Sequence, residues 1–143
     1  VVGDDIVLCA AKMHAASVLS ESGDSIISKK DIEEFVESGA DIILIPAPGT
    51  VPGITLDIAK ELIAYAHKLG VATLTSIGTS QEGADPDTIR EIALMCKMAG
   101  TDIHHIGDSG YLGMALPENI KTYSTAIRGI RHTYLRMARS VNR

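Results

Sequence analysis

The chain has 143 residues, which suits one domain. Hydrophobic residues make up 45% and charged residues 22%, ordinary globular usage that argues against disorder. The net charge of −5 disfavours a nucleic-acid partner. No apolar run approaches the roughly 18 residues of a membrane span, and no basic start leads into an apolar core. A cytoplasmic protein with no membrane partner is therefore expected.

The charge is uneven. From Pro117 onward it sums to +5, so the preceding 116 residues carry −10. A basic C-terminal segment of this kind can meet an anionic partner or stand as a solvated helix face. The two cysteines, Cys9 and Cys96, lie in apolar segments and read as reduced core residues. With no clustered histidines they do not suggest a zinc site. The sequence opens at Val1 rather than methionine. The expectation is one α/β domain over 1–143, the C-terminal part of a longer protein.

In chain order, the first extended run is Ile6 to Ala11. Ser28 then caps a helix, with Asp31 three residues on and Ile32, Phe35 and Val36 as its apolar stripe. Asp41 to Pro46 is the second strand. Thr55 opens a helix whose apolar face is Ala59, Leu62, Ile63 and Ala66. Val71 to Ser76 is the third strand. Asp85 and Pro86 start the next helix, with Ile89, Ile92, Ala93 and Cys96 at helical spacing. Thr101 to Ile106 is the fourth strand, and Pro117 opens a last helix to about Ser140.

Gly39, Gly70 and Gly100 each end a helix before a strand, about thirty residues apart, the length of one β-α unit. The strands are near-continuous apolar runs, as in parallel sheets covered on both faces. Four β-α units in a row fit half of a (β/α)8 barrel, or else a small doubly wound sheet. A half barrel has two open edges and needs a missing N-terminal half or a partner chain, so a homo-oligomer is one expectation. In the last helix Ile120, Tyr123, Ile127, Ile130, Tyr134, Met137 and Val141 follow a 3,4 spacing, a coiled-coil-like seam interrupted by Gly129.

Parallel α/β folds bind ligands at the carboxyl ends of their strands. Four segments fall there. After the first strand comes Lys12, a candidate phosphate ligand or Schiff-base amine. After the second, Gly49, Thr50 and Gly53 stand in a proline-stiffened loop that admits an anion. After the third, a polar loop holds Gly78, Thr79 and Glu82, the last a candidate acid or base. After the fourth, Gly107, Ser109 and Gly110 resemble a phosphate-cradling turn, and Asp108 is a candidate base. His104 and His105 must point to opposite faces of their strand, so one of them can serve the site. There is no P-loop, no Gly-x-Gly-x-x-Gly and no Gly-x-Ser-x-Gly.

The segments AAKMHAA, IPAPGTVPGI, IGTSQEGAD and HHIGDSGYLGMALPENI resemble a bacterial family labelled haloacid dehalogenase-like hydrolase. The resemblance covers nearly the whole chain and implies a magnesium-dependent phosphohydrolase. It rests within that superfamily on Gly107-Asp108-Ser109; the nucleophile motif Asp-x-Asp-x-Thr/Val is absent, and no acid follows Asp108 until Glu118. The strand-end loops also look like those of phosphate-binding TIM barrels, whose last two β-α loops grip the phosphate. That likeness assigns the role to Gly78-Thr79 and to Gly107-Ser109-Gly110.

The leading expectation is an enzyme domain acting on a small phosphorylated metabolite by proton transfer or carbon–carbon bond chemistry, with no cofactor. Lys12 is its electrophilic group. His104 or His105, with Asp108 or Glu82, moves protons. Two alternatives stand beside it: the magnesium-dependent phosphohydrolase, and a non-catalytic binding or assembly domain.

Overall fold

The computed structural model describes residues 5–13, 25–78, 81–107 and 115–139. Strands and helices alternate: β1 (Cys9–Ala11), α1 (Lys29–Glu37), β2 (Ile42–Pro46), α2 (Leu56–Lys68), β3 (Ala72–Ile77), α3 (Pro86–Ala99), β4 (Ile103–Ile106) and α4 (Pro117–Ala138). Each of the first three helices starts where a side chain takes up orphan amides. Ser28 Oγ accepts from the Asp31 amide, and Asp31 accepts in return from the Ser28 amide. Thr55 accepts from the Ile58 amide, and Asp85 from the amides of Asp87 and Thr88. Gly100 ends α3 at φ 92°, a left-handed conformation that a side chain resists.

The four strands pair in parallel in the order β1-β2-β3-β4. A doubly wound sheet reverses its strand order at a switch point. No reversal occurs among the described strands, so successive right-handed crossovers stack their helices on one face, as in an arc of a (β/α)8 barrel or one half of a doubly wound sheet. Neighbouring helices pack side by side, α1 on α2, α2 on α3 and α3 on α4.

The core lies between that helix layer and one face of the sheet. Ile43 and Ile45 of β2 pack with Ile32 of α1 and with Ala59, Leu62 and Ile63 of α2. Further along, Ile77 of β3 packs with Ile89, Ile92, Ala93 and Cys96 of α3 and with Tyr123 of α4. At about 25 cal/mol per Å² of buried apolar surface, this layer is the main source of stability.

The opposite face differs from expectation. The apolar strands predict cover on both sides. Yet Cys9, Ala11, Ile103 and His105 are exposed, and Ile42, Leu44, Ala72, Leu74 and Ser76 are half-buried. Sequential strand order is the reason: it commits the helices to one side. Cys9 therefore lies outside the core, whereas Cys96 is buried as expected.

Two elements are revised. The run Ile6 to Ala11 pairs with β2 only over Cys9–Ala11, and its earlier half is exposed. The last helix is broken at Gly129, where φ 81° and ψ 158° lie in a region open essentially to glycine. Ser124 Oγ and Thr133 Oγ1 are 3.0 Å apart, which nine residues of straight helix forbid at 1.5 Å per residue. The chain thus turns back on itself, and the expected continuous seam does not form. Tyr123 and Ile127 pack inward, while Ile130, Tyr134 and Met137 are exposed; Val141 lies outside the described residues.

Candidate functional site

Register brings Pro46, Ser76 and His105 side by side at the carboxyl ends of β2, β3 and β4, on the uncovered face. A cavity of about 360 Å³ opens there, lined in part by Lys12, Leu44, Pro46, Thr50, Ser76 and Gly78. Ser76 Oγ and His105 Nδ1 are 2.9 Å apart. With the Nε2-protonated tautomer, the hydroxyl donates to the ring nitrogen, the arrangement by which a histidine takes a proton from an alcohol. Ser76 is a cavity residue that sequence reading did not single out. Its signal was the register: one residue from the end of one parallel strand faces the same position on the next.

Lys12 reaches this cavity from the end of β1. Its Nζ lies 3.1 Å from Asp31 Oδ2 and donates to the Ser25 carbonyl at 3.2 Å. Burial of Asp31 works against its charge. Hydrogen bonds from Ser28 and Lys12, with the Lys12 charge, prevail and hold the carboxyl below its usual range. The cap of α1 and the strand-end lysine are thus one unit, and the ammonium is an oriented positive charge.

The two histidines divide as alternation requires. His105 is on the cavity face. His104 faces the helix layer, where its Nδ1 and the Tyr123 hydroxyl are hydrogen-bonded at 3.0 Å. Burial, then the charges of Arg128 and Lys97, lower the His104 pKa. Burial, then the neighbouring Cys96, raise that of Tyr123. Both shifts favour the neutral forms, and the pair joins β4 to α4. His105, not His104, belongs to the site.

Glu82 lies in a 3-10 turn (Gln81–Gly83) and is only 6% exposed. Its Oε2 has no hydrogen-bond partner among the described residues. Its carboxyl packs on Gly107: a Cβ there would stand 3.4 Å from Glu82 Cδ and 2.9 Å from the Ile77 carbonyl oxygen. Asn119, buried at the start of α4, donates from Nδ2 to the carbonyls of Glu82 and Ala84, both at 2.9 Å. It fixes the turn and, through it, the carboxylate.

The expected phosphate cradle is less open than its composition suggests. The Gly49 amide donates to the Ile54 carbonyl, the Thr50 hydroxyl to the Ala47 carbonyl, and the Gly107 amide to the Ile77 carbonyl. These donors are spent inside the protein. Gly49 and Gly53 line a separate cleft against Met95 of α3, whereas Thr50 and Gly78 line the cavity beside Lys12 and Ser76. Thr79, Asp108, Ser109 and Gly110 lie outside the described residues. Among the described residues, no three His, Cys, Asp or Glu side chains are placed to hold a metal ion. None of the described helices is long and apolar enough to cross a membrane.

Comparison with curated proteins gives no match. A family model described as a domain of unknown function, DUF7916, matches residues 1–143. That description carries no activity and lends the haloacid dehalogenase-like label no support. The chain belongs to the DUF7916 family.

Proposed function

We propose that this domain is the metabolite-binding part of a TIM-barrel-like enzyme that moves a proton beside the carbonyl of a small phosphorylated or carboxylated compound. The observation that carries this reading is the convergence of Lys12, Ser76, Gly78 and Thr50 on one cavity, with His105 bonded to Ser76. The cavity sits at the carboxyl ends of parallel strands, where such folds place their chemistry.

Lys12, held by Asp31, supplies positive charge for the anionic group or for oxygen charge that develops in the reaction. His105 is the group within reach of a transferable proton, and Ser76 fixes its ring. Glu82 is the second ionisable group at this rim. Its buried side chain keeps Oε2 without a partner among the described residues, so that oxygen is open to a ligand's polar group. The Lys12 ion pair favours a fixed charge over a Schiff-base amine.

The test is deuterium exchange from D2O into the carbon next to the carbonyl of small phosphorylated ketones and aldehydes, followed by proton NMR. Exchange that is lost in His105→Asn supports the reading. Exchange equal to buffer alone across the set contradicts it.

A further inference from the structure

The outer strands of the sheet are unfinished. Among the described residues, β1 and β4 each have one strand neighbour, so each presents a free row of backbone amides and carbonyls. The segment that leads into β1 and the first residue of β4 also expose apolar side chains. Ile6 is 52% exposed, Val7 66%, Leu8 39% and Ile103 39%. Exposed apolar edges of this kind invite pairing with another chain. The uncovered face between them is also apolar, with Ile42, Leu44 and Leu74 half-buried.

The helix layer ends in the same way. Beyond Gly129, α4 exposes Ile130, Tyr134, Leu135 and Met137. Among them stand Arg131, Arg136 and Arg139, also exposed. At the other end of the layer, α1 exposes Glu33, Glu34 and Glu37 beside Lys29 and Lys30, with Lys30 paired to Glu34 at 3.5 Å, and its nine residues sum to −2. The segment from Pro117 carries +5 and the rest of the chain −10. A basic, apolar last helix and an acidic first helix are complementary, but they lie at opposite ends of one chain.

We propose that a second copy of this chain closes the sheet. A two-fold axis along the strands sets β4 of each copy beside β1 of the other, in parallel, and makes an eight-stranded barrel. Eight strands is the number whose interior side chains fill the space. The same operation sets each α4 beside the other copy's α1, where opposite charges meet. It also places both strand-end cavities on one rim. This inference rests on the edges and charges and not on the proposed chemistry.

Sedimentation of the unmodified chain at high micromolar concentration tests it. The expected mass is twice that of one chain, and the amide of Val7 gains protection from exchange as concentration rises. The variant Val7→Lys with Ile103→Lys, both at exposed positions, should give a single-chain mass with an unchanged circular dichroism spectrum. If that variant fails to fold, the concentration-dependent protection of the unmodified chain decides. A dimer that persists in the folded double variant overturns the proposal, as does open-ended growth. A single-chain mass with Val7 exchanging like free peptide also overturns it, and assigns the edges to a cover other than a second copy.

Discussion

The two ends of the same sheet use their polar groups differently. At the amino ends, carboxylates lock neighbouring strands together. Asp41 Oδ2 accepts from the Leu8 amide at 2.8 Å. Asp102 Oδ2 accepts from the Thr73 amide and hydroxyl and meets His67 Nε2 at 2.8 Å. Both aspartates stand one residue before their strand, two units apart in the repeat. At the carboxyl ends, Lys12 and Ser76 line a cavity, His105 stands 2.9 Å from the Ser76 hydroxyl, and Glu82 keeps a buried oxygen with no partner among the described residues. One rim thus locks its strands with carboxylates, and the other lines a cavity with polar side chains.

The sharpest way to break the contrast is Gly107→Ala. Its Cβ would meet the Ile77 carbonyl oxygen at 2.9 Å and press on Glu82. Overpacking of this kind costs about 3 kcal/mol at its upper range, read as a lower urea midpoint. Asn119→Ala is expected to cost about 2 kcal/mol, because two carbonyls of the Glu82 turn lose their donor. Thermal melting measures it, and the amide resonances of residues 81–84 should move most.

Asp102→Asn belongs to the other rim and should cost about 1 kcal/mol, at the low end because the site is partly exposed. Burial alone would raise the Asp102 pKa, but hydrogen bonds from His67 and Thr73 leave it lowered. The sign follows: a depressed folded-state pKa gives stability that is present above the ordinary aspartate value of about 4 and is lost as pH falls below it. Urea midpoints of the native chain should drop over that acid range, and those of Asp102→Asn should drop less. Ser76→Ala should change stability by no more than about 0.5 kcal/mol, as half-exposed positions allow, while it weakens ligand binding. A large loss of stability there would make Ser76 another strand lock and erase the contrast.

Much of the frame was legible in the sequence. Ser28, Thr55 and Asp85 announced their helices because a cap is a local bond between a side chain and amides two or three residues away. The apolar faces of α2 and α3 were legible because burial follows the helical period. Contacts that depend on register were not. The Ser76–His105 bond joins residues 29 apart, and nothing near either one predicts it. Glu82 sat in a polar loop and looked solvated until Asn119, 37 residues on, pinned its turn in the interior. A glycine at 129 weakens a helix on sequence grounds, but only a φ of 81° shows it to be a reversal. Gly49, Thr50 and Gly107 have the composition of an anion loop. Their donors turn out to be bonded within the fold.

The central claim is that the carboxyl-end cavity binds an anionic metabolite. An amide correlation NMR titration of the chain with inorganic phosphate tests it most directly. The account predicts saturable shifts at Lys12, Thr50, Ser76, Gly78 and His105, lost in Ser76→Ala, with the amide of Asp102 unmoved. A well-dispersed spectrum that phosphate leaves unchanged, or shifts spread evenly over both rims, would contradict it.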